Sequence, residues 1–128
     1  MRTQTLFQDK SGQPVTTDDV RRALDTVLPS PVSVIYMHTA LAFGMPNPAL
    51  GRKGVLDGLF EVLAARRWRT LCVPTFTFSF CNNEPYDVQK TASSMGALNE
   101  YIRKLPQAIR SSDPMMSVAL LGEWHIKA

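Results

Sequence analysis

Histidine and cysteine are scarce in this chain of 128 residues, with two of each. Cys72 sits in an apolar run and Cys81 in a polar stretch, and neither His38 nor His125 lies near them. That excludes the clustered spacing of a zinc site and the pairing of a disulfide scaffold, so no metal is expected and a reducing, cytoplasmic setting is. Long apolar runs are also missing. The longest, Val32 to Met37 and Thr70 to Val73, are strand-sized and far short of the roughly 20 residues a membrane span requires. Beyond Arg2 the chain is mostly polar to Thr17, without the apolar middle expected of a signal peptide. Nor does one sign of charge dominate: 14 basic against 11 acidic residues give a net charge of +3. The basic clusters Arg21-Arg22, Arg66-Arg67 with Arg69, and Arg103-Lys104 fall in three separate segments. They read as solvated helix faces, two of them near helix ends where cations suit the dipole, and not as a nucleic-acid stripe.

Three familiar chemistries are absent as well. There is no GxGxxG or P-loop, since Gly51-Arg52-Lys53-Gly54 is too short for either. No GxSxG elbow marks a hydrolase. Glu84, Asp87, Glu100, Asp113 and Glu123 are too dispersed to form a recognisable carboxylate pair.

What is present suits one globular domain, 1–128, of ordinary composition, 45% hydrophobic and 20% charged. Thr16-Thr17-Asp18-Asp19 predicts a capped helix start, and Val20, Ala23, Leu24, Val27 and Leu28 follow at helical spacing until Pro29 and Pro31. Val32 to Met37 reads as a strand buried on both faces. After a Gly- and Pro-rich loop from Ala42 to Gly54, a second helix carries Val55, Leu56, Leu59, Phe60 and Leu63 and ends near Arg67. Thr70 to Val73 is a second buried strand, which makes a βαβ unit. A polar and aromatic loop, Thr75 to Ser93, precedes a third helix from near Ser94, and Ser117 to Leu121 reads as a third strand. The expected fold is a three-layer α/β/α sandwich with a mostly parallel sheet.

In such sheets ligands bind beyond the carboxyl ends of the strands. Two segments occupy that place: His38-Thr39-Ala40-Leu41 and Pro74-Thr75-Phe76-Thr77-Phe78. By spacing alone His38 is more readily a satisfied buried histidine than a working one. Phe76, Phe78 and Phe80 alternate with Thr77 and Ser79, as an aromatic-lined wall would.

These residues also carry a resemblance. Pro74-Thr75-Phe76-Thr77-Phe78, Glu84-Pro85-Tyr86-Asp87 and Met95-Gly96-Ala97-Leu98-Asn99-Glu100 come in order, then Arg110-Ser111 with Asp113-Pro114 and Ser117. Upstream, His38-Thr39-Ala40-Leu41 stands where a His-Ser-Ser-Leu stretch would. In this order the motifs resemble the aminoglycoside 3-N-acetyltransferase family, also called the antibiotic N-acetyltransferase family. The resemblance runs from about Val32 onward and corresponds to roughly the amino-terminal half of a member, so the family fold is expected to be truncated after about half.

The resemblance implies acyl transfer from acetyl-CoA to an amine of an aminoglycoside or other amino sugar. It implies coenzyme contacts from His38, Thr39, Ala40, Leu41, Thr75, Arg110 and Ser111, and acceptor contacts from Phe76, Glu84, Tyr86 and Asp87. The family's general base is a histidine in its carboxyl-terminal half, in a Thr-Ser-x-His-like context without a counterpart here. His125 does not match that context, so the catalytic residue stays unknown, with His38 as a candidate. Ala40 replaces a serine of the family pattern, and Asp113 stands where many antibiotic-modifying members have histidine. Both departures lean toward relatives that act on polysaccharide amino sugars. The alternative expectation is a non-catalytic remnant that binds coenzyme A or a partner through an uncovered sheet edge. Association with a second copy or a complementing chain is expected, and partnership with nucleic acid or membrane is not.

Overall fold

The computed structural model describes residues 3–28, 32–41, 44–66 and 68–122. Pro29, Pro31, Arg67 and His125 lie outside the described residues. The chain divides into two compact units, one formed by Met1–Val32 and Leu41–Arg67, the other by Ser33–Ala40 and Trp68–Ala128.

The first unit opens with a hairpin that sequence reading passed over as a polar stretch: β1 (Thr5–Gln8) and β2 (Pro14–Thr16) pair antiparallel. Asp9 closes the turn, its Oδ1 accepting from the amides of Ser11 and Gln13 and from the Ser11 hydroxyl. These bonds hold its carboxyl below the usual carboxylate range. The helix α1 (Thr17–Val27) starts as expected, on a capping box between Thr16 and Asp19. The short strand β4 (Met45–Pro46) completes a sheet of order β2-β1-β4, antiparallel throughout. The helix α2 (Gly51–Ala64) buries Val55, Leu56, Leu59, Val62 and Leu63, with Leu6 and Phe7 of β1 almost wholly enclosed. Gly58 is where helix meets strand, since a Cβ there would come within 2.7 Å of the Leu6 side chain.

The second unit holds a four-stranded sheet formed by β3 (Val34–Tyr36), β5 (Thr70–Pro74), β6 (Ile109–Arg110) and β7 (Val118–Gly122), in the order β3-β5-β7-β6. The helix α3 (Ala97–Arg103) buries Leu98, Asn99 and Ile102. Only β3 and β5 run parallel; the β5–β7 and β6–β7 pairings are antiparallel. The expected three-layer sandwich with a mostly parallel sheet is therefore corrected to two units with mostly antiparallel sheets. The reason lies in the connections. A parallel partner requires a crossover of a dozen or more residues, whereas residues 111–117 can only turn β6 back on β7.

β3 departs from expectation in a second way. It is an edge strand, with Ile35 buried but Val34 49% and Tyr36 59% exposed. One sheet face carries Ile35, Leu71 and Leu121, then Val73, Ala119 and Arg110, all buried. The other carries Tyr36, Cys72, Leu120 and Ile109 in one cross-strand row, apolar and open to solvent at both ends.

Candidate functional site

Because β3 and β5 are parallel neighbours, the segments that follow them leave from the same edge of the sheet. The Met37 amide prolongs the ladder, donating to the Cys72 carbonyl at 2.9 Å. Beyond it His38 is exposed, Thr39 half-buried and Ala40 exposed. Leu41, the fourth residue of the expected stretch, is half-buried and belongs to the first unit. The Thr39 carbonyl faces Gly96, the N-cap of α3, at 3.4 Å from where a Cβ would stand. The φ of +116° at Gly96 is one that side-chain-bearing residues rarely adopt, so glycine lets the helix start approach the strand end.

Two oxygens stand out at this edge. The Oγ1 of Thr39 and the Oδ1 of Asn99 are buried and have no hydrogen-bond partner among the described residues. Asn99 is fully enclosed and its Nδ2 donates to the Pro74 carbonyl at 2.7 Å, which fixes the amide with its oxygen turned away. A buried acceptor left unpaired costs about 1–3 kcal/mol, and such groups are rare in folded proteins. Thr39 follows β3, and Asn99 of α3 is bonded to the last residue of β5, so both oxygens belong to the carboxyl ends of adjacent parallel strands.

Thr75 sits beside them, fully buried, in a network that sequence reading did not foresee. Its Oγ1 and the Ser117 hydroxyl lie 2.9 Å apart, and Ser117 also donates to the Thr75 carbonyl at 2.8 Å. Arg110 reaches the same residue twice, Nε to Oγ1 at 3.2 Å and Nη2 to the carbonyl at 2.8 Å. Its Nη1 donates to the carbonyls of Thr91 and Val88, and the guanidinium lies 4.9 Å from the centre of the Tyr86 ring. Burial pushes the Arg110 guanidinium below its ordinary value. Arg110 thus ties the end of β5 to the loop at 86–91. Ser111 keeps to the backbone, its Oγ accepting from Val118 N and its carbonyl from the Tyr86 hydroxyl.

The residues expected to touch an acceptor separate. Phe76 is half-buried and its carbonyl takes both the amide and the hydroxyl of Ser94. Tyr86 is engaged with Ser111 and Arg110, and Asp87 caps the amides of Gln89 and Lys90. Glu84 differs, an exposed residue whose amide alone is anchored, on the Ser79 carbonyl. Phe78 is 48% exposed with a φ of +59°, a strained backbone for an aromatic residue, beside a Thr77–Ser79 hydroxyl pair at 2.7 Å. A cavity of about 490 Å³ lies elsewhere, on the sheet of the first unit beside Phe7, Met45 and Pro46, and no titratable group is among the described residues that line it. Among the described residues no His/Cys/Asp/Glu group could hold a metal ion, and no helix is long and apolar enough to cross a membrane.

Asn99 and Ser117 carry signals that the sequence does display, a polar residue between Leu98 and Ile102 and another at the mouth of an apolar strand. What it hides is that both are fully enclosed.

The comparisons can now be set beside this geometry. A family profile described as aminoglycoside 3-N-acetyltransferase matches residues 47–125. Curated protein sequences give no match. Among solved structures the chain is similar to the aminoglycoside acetyltransferase AAC(3)-Xa, at 23% identity and a TM-score of 0.64, over 86% of this chain and 44% of that one. It is similar to AAC-IIIb, solved as a binary complex with CoASH, at 18% identity and a TM-score of 0.60, over 85% of this chain and 46% of that one. To AAC(3)-IIb it is 17% identical with a TM-score of 0.66, over 97% of this chain and 48% of that one. The chain thus spans less than half the length of these three relatives. With the profile covering more than half of its residues, and a fold shared with solved members, the chain belongs to the aminoglycoside 3-N-acetyltransferase family.

Proposed function

We propose that this chain supplies the coenzyme side of an acetyl-CoA-dependent N-acetyltransferase domain whose acceptor is an amine on an aminoglycoside or other amino sugar. The observation that carries the reading is the buried, unpartnered Thr39 hydroxyl at the carboxyl end of β3. A pantetheine arm presents amide N–H groups, and Thr39 Oγ1 with Asn99 Oδ1 are acceptors of the matching kind. Thr39 takes the coenzyme role expected of the His38 to Leu41 stretch, while Thr75 and Arg110 support it by fixing the adjoining strand end. On the acceptor side the exposed Glu84 is the carboxylate suited to an ammonium group, with Phe76 and Phe78 as the apolar wall. Acetyl transfer also requires a base that removes a proton as the amine attacks the thioester. His38 is exposed and can reach solvent-borne substrate, but it lacks a carboxylate partner among the described residues, so no base is assigned within them. Titration calorimetry with coenzyme A and with pantetheine tests the proposal. Binding of both is expected, weakened at least tenfold by Thr39→Val; binding unchanged by that substitution overturns it.

A second reading, a remnant that binds coenzyme A or a partner without catalysis, draws on the open apolar row Tyr36, Cys72, Leu120 and Ile109. A face of that kind marks an interaction surface. Coenzyme binding together with turnover by the chain alone would exclude it.

A further inference from the structure

Arg103 and Arg110 both line a cavity of about 130 Å³, together with Val88, Gln89, Ala108 and Ile109. That is several times the room a single water needs, roughly 10–15 Å³. The two guanidiniums are both largely buried but differ in how their charge is met. Arg103, whose side chain is 7% exposed, is paired with Glu100 through Nε and Nη2, and Glu100 receives the Ser93 amide as well. Arg110, 8% exposed, is met by neutral groups only: the hydroxyl and carbonyl of Thr75, the carbonyls of Val88 and Thr91, and the ring of Tyr86. The pair with its single carboxylate therefore holds one uncompensated positive charge, and no acidic residue lines the cavity. Burying an unpaired charge is costly, and the depressed Arg110 value is the sign of that cost. Each guanidinium also keeps at least one N–H that no acceptor among the described residues takes.

We propose that this cavity is a binding site for a phosphate-sized oxyanion, held between Arg103 and Arg110. Forked guanidiniums match the oxygen edges of such an anion, and its charge would complete the Arg103–Glu100–Arg110 group. Arg103 comes from the end of α3 and Arg110 from β6, while Val88 and Gln89 belong to the loop that both arginines hold by its carbonyls. An anion here would therefore stiffen the loop that carries Tyr86 and Asp87. The site does not include Thr39 and does not rest on the role proposed for it. The oxyanion has two sources, free inorganic phosphate or a phosphate of a nucleotide-bearing coenzyme.

The test is NMR of the purified chain titrated with inorganic phosphate at constant ionic strength. Saturable shifts are expected at the Arg103 and Arg110 Nε–H signals and at the Gln89 and Ala108 amides. Arg103→Gln should weaken the affinity at least tenfold. Ala108→Asp, which places a tethered carboxylate in the cavity, should abolish binding in a protein that still folds. Coenzyme A that competes with phosphate while pantetheine does not assigns the site to the coenzyme; no competition assigns it to the free anion. Shifts that stay linear in phosphate, or that persist unchanged in Ala108→Asp, reduce the site to non-specific screening and overturn the proposal. Loss of pantetheine binding in Thr39→Val with phosphate binding intact would bear on the acetyltransferase reading alone.

Discussion

Replacing threonine by valine at two neighbouring strand ends should have opposite effects. In Thr75, the hydroxyl is a member of a closed network. Ser117 gives its proton to the Thr75 carbonyl, so the Thr75 hydroxyl must donate to Ser117 Oγ while it accepts from Arg110 Nε. Thr75→Val removes both bonds and leaves a buried guanidinium N–H unmatched. One neutral bond at roughly 0.5–1.5 kcal/mol and one charged bond at roughly 1.5–3 kcal/mol give a loss of about 2–4.5 kcal/mol. At Thr39 the hydroxyl oxygen is buried without a partner, so Thr39→Val removes an unmet polar group and adds a methyl. The expected change is neutral to stabilising by about 1 kcal/mol, with coenzyme binding lost, the usual sign of a group kept for function at some expense of stability. Urea unfolding of the ligand-free chain, followed by far-UV circular dichroism, measures both variants on one scale. A Thr39→Val protein destabilised as much as Thr75→Val would show that the hydroxyl has a partner within the chain and would remove the reason for assigning it a ligand.

Other outcomes follow from the same structure. The chain alone should release no thiol from acetyl-CoA in the presence of aminoglycoside or simple amino-sugar acceptors; release that survives in wild type but vanishes in His38→Ala would move the base to His38. Maleimide at neutral pH should modify the exposed Cys81 well before Cys72, whose thiol is pushed up by burial, and equal rates would contradict the placement of Cys72 in the sheet. Burial pushes the Glu100 carboxyl up, but the Arg103 hydrogen bond, the Ser93 amide and the charges of Arg103 and Lys104 outweigh it, so its value falls below the ordinary one. Its contribution is then fully present above the unfolded carboxylate value and is lost as pH drops through the folded one. The stability advantage of wild type over Glu100→Gln should accordingly shrink between about pH 5 and pH 3, and a difference independent of pH would refute it.

Local features of the fold were legible where one short stretch decides them. Thr16 with Asp19 determines a helix start whatever surrounds it, and α2 was readable because Val55, Leu56, Leu59 and Leu63 repeat on one face. Strand direction was not legible, because alternation of apolar residues is the same in both senses. The clue was the short separation of Ile109 from Val118, and it could be used only once Ile109–Arg110 was known to be a strand. The β1–β2 hairpin was missed because Leu6 and Phe7 are adjacent rather than alternating, although Asp9 and Gly12 mark its turn. In the candidate site, His38 to Ala40 and Thr75 could be placed at strand ends from sequence. Which of their polar atoms would be satisfied could not, since that depends on Ser117 and Arg110, distant in the chain.

That dependence explains how the strand ends are held in place. Thr75 meets Arg110 and Ser117 across separations of 35 and 42 residues, so the network exists only when β5, β6 and β7 are all in register. Arg110 then extends it to the carbonyls at 88 and 91, and Arg103 to the carbonyl at 89. The loop after β5 is thereby held at its backbone by buried cations, and the Tyr86 and Asp87 side chains add their own holds to it. The same frame sets α3, because the Ser93 amide on Glu100 and the Asn99 amide on Pro74 fix the helix at both its preceding loop and its buried side. Among the described residues two buried oxygens beside this frame have no partner, the Asn99 carbonyl oxygen and, on the facing strand end, the Thr39 hydroxyl. They lie where the parallel strands β3 and β5 end, which is where the proposed coenzyme arm would lay its amides against the chain.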